Sequence, residues 1–371
     1  MVRVLPALQY QAKPMKQAYA SYTTKLFCLI AFAGVLATGC KKDSKNVPVT
    51  TPKPVTGPYL YVAGSANGKA TYWKTSLSQS TVSIIADTIS NSAYITSLIT
   101  SGTDVYIAAQ SAGYWKNKTF VPVTNANSIE YLTLSGSAVV VTGFDKSGDI
   151  AYWPNNSEID LESTIGRNLF PYQSVLTDAL TGIALSGSDV YVSGKLSTEN
   201  EPYSPPNAVN GDFGLVWTNA NVRLLSRGGN VVSAYYNSTV GITLVGSDIY
   251  VAGRDSSYAG GYWKNNVWTP INNGAYVPTS ISSQGTDVYI TGFDYTPTGP
   301  IVGLQGNYWK NGTEVKVAGA NSTNAIVING SDVYVLGVDY NNNNVVWKNG
   351  AVFETIGSAN IQTATSLAIG N

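Results

Sequence analysis

Four aspartates recur in one local setting, each two residues after a glycine: Gly143-Phe144-Asp145, Gly253-Arg254-Asp255, Gly292-Phe293-Asp294 and Gly337-Val338-Asp339. A set of carboxylates offers hard oxygen ligands of the kind that hold Ca²⁺. Two of them standing about 5 to 10 Å apart, with Asp149 as a further candidate, would also meet the minimum for glycoside hydrolysis. Against both stands a plainer role, because an Asp that follows a strand closes its own turn by accepting backbone N–H bonds. Positions repeated this far apart in a chain also tend to stand too far apart to share an ion, so no metal and no cofactor is expected. A second group is aromatic. Tyr172, Tyr203, Tyr235, Tyr236 and Tyr295 fall in four long segments (161–180, 195–213, 226–239 and 293–305) that also carry Arg167, Phe170, Glu199, Glu201, Asp212 and Arg227. A tyrosine presents a flat apolar face with a polar tip, which suits a glycan or a protein surface. The alternative is that these residues fasten the long segments down.

Composition excludes much else. There is no histidine, so Ser-His-Asp and Cys-His mechanisms and His-ligated metals are ruled out. Cys28 and Cys40 are the only cysteines. The 22 basic and 22 acidic residues balance, but Arg3, Lys13, Lys16 and Lys25 lie in a segment read below as removed; the remainder has 18 basic residues against 22 acidic, a net charge near −4. No basic stripe is left for a phosphate backbone, so nucleic acid is not an expected partner.

The elements that position these residues come from an internal repeat. Seven tryptophans recur after Tyr or Val: Trp73, Trp115, Trp153, Trp217, Trp263, Trp309 and Trp347. Each lies in the same four-part unit. A short apolar run ends in Gly ("IALSG", "ITLVG"); a second follows at once ("SDVYVSG", "SDIYVAG", "SDVYVLG"); a third carries the Trp ("GYWKN"); a fourth is brief ("KTFVPV"). Units of four short strands at 38 to 64 residues, with no helical periodicity between them, predict an all-β fold, a seven-bladed β-propeller of four-stranded blades. The repeat starts in a second strand at Tyr59 and ends in a first strand at 365–369. The C-terminal strand therefore completes the first blade, which leaves no open sheet edges. The Tyr-Trp pairs, with adjacent side chains on opposite faces, read as packing between blades. Trp268 lies outside the repeat. A folded part of this size buries about 75% of its extended surface and is stable without disulfides.

Turns between first and second and between third and fourth strands are uniformly short ("SGTD", "KNG"), whereas the other two connections vary up to about twenty residues. In an up-and-down sheet the variable connections share one face, where binding residues concentrate.

From Lys25 the chain reads K-LFCLIAFAGVLAT-GC-KKD, an apolar run too short to span a bilayer but laid out as a secretory signal. Leu36-Ala37-Thr38-Gly39-Cys40 resembles a bacterial lipobox, which implies cleavage before Cys40 and its lipidation. Met15 would start a signal of more usual length. The expected organisation is a signal peptide at 1–39, a lipidated Cys and Pro/Thr-rich linker at 40–58, and a propeller at 59–371. The "DVYVAG…YWKNG" units resemble propeller repeats of Bacteroidota surface lipoproteins. That resemblance implies a propeller fold and an outer-membrane location, on the cell surface or the periplasmic side, with a lipid anchor; the variable loops and their tyrosines, rather than the resemblance, point to a glycan or envelope-protein ligand. It assigns no catalytic residue. A monomer is expected. The other functional readings are a carboxylate-based polysaccharide-active enzyme and a purely structural envelope scaffold.

Overall fold

The structure, a computed structural model, describes residues 57–78, 85–90, 94–169, 173–200, 211–225, 238–296, 303–356 and 361–371, all within one compact unit, Pro54–Asn371. It is a seven-bladed β-propeller, and each blade is a four-stranded antiparallel sheet with strands A to D from the axis outward. Blade 1 consists of Ile361–Gly370, Tyr59–Ala66, Lys69–Ser76 and Ile85–Ser90; blade 2 of Ser97–Ser101, Asp104–Ala108, Gly113–Lys116 and Thr119–Pro122. Blade 3 has Ala126–Ser135, Ala138–Asp145, Ile150–Pro154 and Ile159–Asp160; blade 4 has Gln173–Ser186, Asp189–Asn200, Gly211–Thr218 and Asn221–Leu224. Blade 5 has Ser238–Val245, Asp248–Arg254, Gly260–Lys264 and Val267–Pro270; blade 6 has Tyr276–Gln284, Asp287–Thr296, Gly303–Lys310 and Thr313–Lys316. Blade 7 has Ala320–Asn329, Asp332–Asp339, Asn344–Lys348 and Ala351–Ile356.

The A strands touch in order around the ring, and strand A of blade 1 lies between those of blades 7 and 2. That strand is the C-terminal one. It pairs with Tyr59–Ala66 from Tyr59↔Gly370 to Ala66↔Ile361, the closure expected from the phase of the repeat. The repeated tryptophans lie in the C strands and pack between blades; Trp153, Trp217, Trp263 and Trp347 are fully enclosed. Trp268 belongs to the same packing, its ring 4.4 Å from that of Trp263.

Local rules explain the short turns. A-to-B turns carry a glycine with φ of 57–61° in six blades, at Gly102, Gly136, Gly187, Gly246, Gly285 and Gly330. C-to-D turns carry Asn with φ of 47–55°, followed in most blades by a second left-handed residue. Two left-handed central residues give the C-to-D turns type I′ geometry, and a lone left-handed Gly in the first central place gives the A-to-B turns the type II′ pattern; both match the twist of the strands they join.

A second regularity governs the glycine near the end of strand B. In six blades strand A is bulged, the register skipping Glu130, Thr181, Val240, Thr279, Asn324 and Thr365. A β-bulge bends the strand that bears it. Here the bend drives a strand A carbonyl onto the facing glycine: a Cβ on Gly292 would lie 2.0 Å from the Val277 oxygen, and one on Gly337 would lie 2.1 Å from that of Ser322. Three bulged threonines also tie blades together. Thr365 donates to the Ile95 carbonyl (2.9 Å), Thr279 to that of Thr323 (2.6 Å), and Thr181 shares a hydrogen bond with the Thr239 hydroxyl (2.8 Å).

Three of the four long segments are, over their described residues, less loop-like than their sequence implies, and 226–237 of the fourth lies outside the described residues. Segment 161–180 contains a helix, Glu162–Leu169; Leu161 just before it and Ile165 within it are buried against blade 4, and the Thr164 hydroxyl accepts the Trp217 indole N–H at 3.0 Å. Its remainder from Gln173, together with 195–200 and 211–213, extends the strands of blade 4, with Gln173 opposite Asn200. Segment 293–305 likewise lengthens strands B and C of blade 6, out to Thr296↔Gly303. Strand extension was missed because Ser, Thr, Asn and Glu break the apolar alternation once a strand leaves the core.

Candidate functional site

The two faces of the propeller are built differently. On the tight-turn face, the Asp that opens strand B, the Tyr two residues on, and the Lys-Asn that ends strand C form one repeated network. In blade 5, Lys264 Nζ lies 2.8 Å from Asp248 Oδ2 and 5.4 Å from the Tyr250 ring centre; Asn265 donates to Asp248 Oδ1 (2.7 Å) and accepts the Ile249 backbone N–H (2.9 Å). Asp104 and Lys116, Asp287 and Lys310, and Asp332 and Lys348 repeat the pairing at 2.7–2.8 Å in blades 2, 6 and 7. The lysine and asparagine bonds hold these four carboxyls below the ordinary value. Blade 4 keeps Asp189 and Asn219 but has Thr218 in place of Lys. In blade 1, Tyr59 replaces the Asp, and Lys74 lies 3.7 Å over its ring instead. The motifs stand in the sequence, but residue type alone does not show that they bond to one another. The signal was present: in blade 3 all three partners disappear together, as Ala138, Val140 and Pro154.

The loop-rich face holds the four candidate aspartates. Asp145, Asp255 and Asp339 build one and the same five-residue loop. Asp145 Oδ1 accepts the N–H groups of Ser147 and Asp149 (2.8 and 2.9 Å), Asp255 Oδ1 those of Ser257 and Ala259 (2.9 and 3.0 Å), and Asp339 Oδ1 those of Asn341 and Asn343 (both 2.8 Å). The carboxyl of Asp339 is held below its ordinary value: burial opposes this, and bonds from the side chain and backbone of Asn343 and from Asn341 outweigh it. Each loop turns on a left-handed residue in its fourth place, Gly148, Tyr258 or Asn342. Glycine and asparagine suit that conformation; a tyrosine held at φ 61° does not relax into it freely. Tyr258 and Tyr340 stand on these loops 59% and 57% exposed, and Tyr94, on the connection from blade 1 to blade 2, is 68% exposed.

Asp294 differs because its loop is replaced by the strand extension. It accepts from Asn272 Nδ2 (3.0 Å) and Asn307 Nδ2 (2.6 Å), and the same Asn307 nitrogen donates to Glu314 Oε1 (2.8 Å). One buried amide thus pins two carboxylates beside the fully enclosed Tyr276, whose phenol is raised well above its ordinary value by burial, Asp294 and Glu314. Among the described residues no group of three or more acidic or cysteine side chains is arranged to hold a metal ion. Tyr172, Tyr203, Tyr235, Tyr236 and Cys40 lie outside the described residues, and Tyr295 is described for its backbone alone, opposite Leu304.

Two cavities complete the geometry. The axial channel, about 310 Å³, is lined by equivalent residues of all seven A strands. Its wall is narrow because the inner strands converge: a Cβ on Gly241 would lie 3.2 Å from Ile281 Cγ2 of the next blade. Tyr131 occupies the place where other blades carry Ser, Gly or Ala, and burial with the neighbouring Glu130 pushes its phenol up to about 12. The second cavity, about 190 Å³, lies between blades 2 and 3.

The fold and the two faces define the class, a closed seven-bladed propeller with one regular and one elaborated face. No family model matches the chain, and no curated protein matches it. Among solved structures it is similar to the β-propeller domain of the Trilobed protease from Pyrococcus furiosus, described as having an open velcro topology (10% identity, TM-score 0.47, 82% of this chain and 91% of that one). It is also similar to YCF48 bound to D1 peptide (10% identity, TM-score 0.43, 82% and 98%) and to the acylaminoacyl peptidase of Pyrococcus horikoshii (12% identity, TM-score 0.46, 82% and 51%). The fold assignment stands on the strand order and ring closure of the chain itself.

Proposed function

We propose that this chain is a non-catalytic binding module of the cell envelope, engaging a glycan or a protein through its loop-rich face and held to the outer membrane by a lipid on Cys40. The observation that carries the reading is the asymmetry of the two faces. One face spends its polar residues on repeated ion pairs and turns; the other sets rigid Asp-closed loops beneath exposed tyrosines and extends the strands of blades 4 and 6 outward. Flat aromatic contact on a preorganised frame is an economical way to bind, because little side-chain freedom is lost. Three of the candidate carboxylates are committed to backbone N–H groups, which leaves them unsuited to act as acid, base or nucleophile. The partner is one macromolecule bound by a monomeric propeller, not nucleic acid.

Glycan arrays and pull-downs from envelope extracts test this, using the mature chain and variants in which 201–210 and 297–302 are replaced by short turns, together with Tyr258→Ala and Tyr340→Ala. Binding is expected to fall at least tenfold in the altered proteins. Undiminished binding would reject this face. Incorporation of a labelled fatty acid that is lost in Cys40→Ser tests the anchor.

A further inference from the structure

We propose that the cavity between blades 2 and 3 is a binding site for a small, uncharged, single-ring molecule that carries a carbonyl or hydroxyl acceptor. It is separate from the axial channel, and the proposal does not depend on the function proposed above.

The cavity exists because blade 3 departs from the repeat at several points together. In blade 7 the C-to-D turn settles directly on the preceding blade: the Ala318 N–H donates to the Gly350 carbonyl at 2.8 Å, and a Cβ on Gly350 would lie 2.6 Å from the Lys316 oxygen. Only glycine allows that contact. Blade 3 has Asn156 at the equivalent place, and its side chain intervenes, with Oδ1 accepting the Thr124 N–H (2.7 Å) and Nδ2 donating to Thr124 Oγ1 (2.9 Å). The turn is wedged off. Strand D of blade 3 is also only two residues long, so Trp153 has no strand D residue opposite it, whereas Trp347 faces Val352.

What remains is a space of about 190 Å³ walled by Tyr114, Val121, Val123, Val139 and Val141, floored by Trp153 and bordered by Asn155. Two polar groups there lack partners that counterparts in other blades have. Trp347 Nε1 donates to the Ala318 carbonyl and Trp217 Nε1 to Thr164, but the fully buried Trp153 Nε1, like Trp309 Nε1 in blade 6, has no acceptor. A buried indole N–H normally finds one. Asn349 and its equivalents bond the strand B backbone and the Asp; in blade 3 that Asp is Ala138, and Asn155 makes neither bond.

These features select the ligand. An apolar cavity of about 150 Å³ takes up benzene, so this one has room for a six-membered ring and a substituent. Sheets packed about 10 Å apart leave a slot one ring thick where facing side chains fail to meet. None of the wall residues is charged, so a charged ligand would lose its hydration without compensation. The Asn155 amide at the border, free of the bonds its equivalents make, supplies the donor for a ligand oxygen.

The test uses benzamide as probe and benzoate as its charged counterpart, read by the indole N–H signals of the eight ¹⁵N-labelled tryptophans in the mature chain. The Trp153 signal is assigned by its loss in Trp153→Phe. Benzamide is expected to move the Trp153 signal and saturate at a Kd on the order of 1 mM, and benzoate to bind at least tenfold more weakly. Asn156→Gly, which lets the turn close as in blade 7, and Val139→Phe, which fills the slot from the other wall, are each expected to weaken benzamide at least tenfold while the protein stays folded by thermal melting. Unmoved indole signals, equal binding of benzoate, or unchanged affinity in a folded Asn156→Gly or Val139→Phe protein would each overturn the proposal.

Discussion

Removing residues 361–371 should abolish the native fold, and the size of the effect follows from what that strand does. It supplies the whole of strand A of blade 1, paired with Tyr59–Ala66. It buries Leu367, Ala364 and Ala368, and its loss uncovers Leu60 and Val62 behind it. Thr365 bonds the carbonyls of Ala63 and Ile95, Thr100 donates to the Ile369 carbonyl at 2.7 Å, and the Asn371 N–H donates to that of Gly102 at 2.8 Å. Burying a leucine-sized side chain is worth about 1.5–3 kcal/mol and each net hydrogen bond about 0.5–1.5 kcal/mol. The strand therefore contributes on the order of 10 kcal/mol, as much as the whole stability of a typical domain, about 5–15 kcal/mol. The assay is thermal and urea unfolding followed by circular dichroism, with size-exclusion chromatography. Loss of the cooperative transition, or aggregation, is the expected result. A circular permutant that places residues 361–371 ahead of Gly57 restores the strand through a short turn, since Gly370 already faces Tyr59, and should melt within a few degrees of the parent. A truncated chain that melts at the parent temperature would refute closure as the source of stability.

Three further outcomes are expected. Gly292→Ala and Gly337→Ala should each cost about 1–3 kcal/mol or more by urea unfolding, because the new Cβ meets a strand A carbonyl oxygen rather than a yielding side chain. The carboxyls of Asp104, Asp248, Asp287 and Asp332 are lowered by their lysine and asparagine partners. A lowered folded-state pKa gives stability that is complete above the ordinary carboxylate value and lost as pH falls through the folded one, so melting temperature should hold from neutral pH down to about 5 and drop below about 4. The Asp→Asn variant at all four positions should drop less steeply; an identical acid profile would show that the pairs carry no pH dependence. Asp339→Ala should destabilise by about 1–3 kcal/mol through orphaned N–H groups, while neither Ca²⁺ nor a chelator should move the melting temperature of the parent; a rise with Ca²⁺ would return the rim carboxylates to ion binding.

Much of the candidate site was legible in outline and little of it in detail. Which face is elaborated followed from connection lengths alone, since A-to-B and C-to-D turns must share a face. The role of Asp145, Asp255 and Asp339 was open between ion, acid catalyst and turn closure, because one sequence context serves all three; the hydrogen bonds to residues two and four places on show each of them closing its own turn. Asp294 shares that context yet takes another role, because the segment after it continues as strand and brings Asn307 alongside. The helix Glu162–Leu169 was not anticipated: its eight residues are too few for periodicity to stand out, and it is held by packing against blade 4.

By itself the sequence determined the number of blades, the order of their strands, the point of ring closure and the tight turns. The strands and tight turns rest on interactions between near neighbours in the chain, and the number of blades and the point of closure on the phase of a repeat, which is read along the chain although the closing strands are about 300 residues apart. Tertiary structure alone decided which polar groups find partners. The cavity beside Trp153, the amide shared by Asp294 and Glu314, and the threonine ties between bulged strands arise where separate blades meet, and contact there depends on ångström-scale fit that residue type and spacing do not encode.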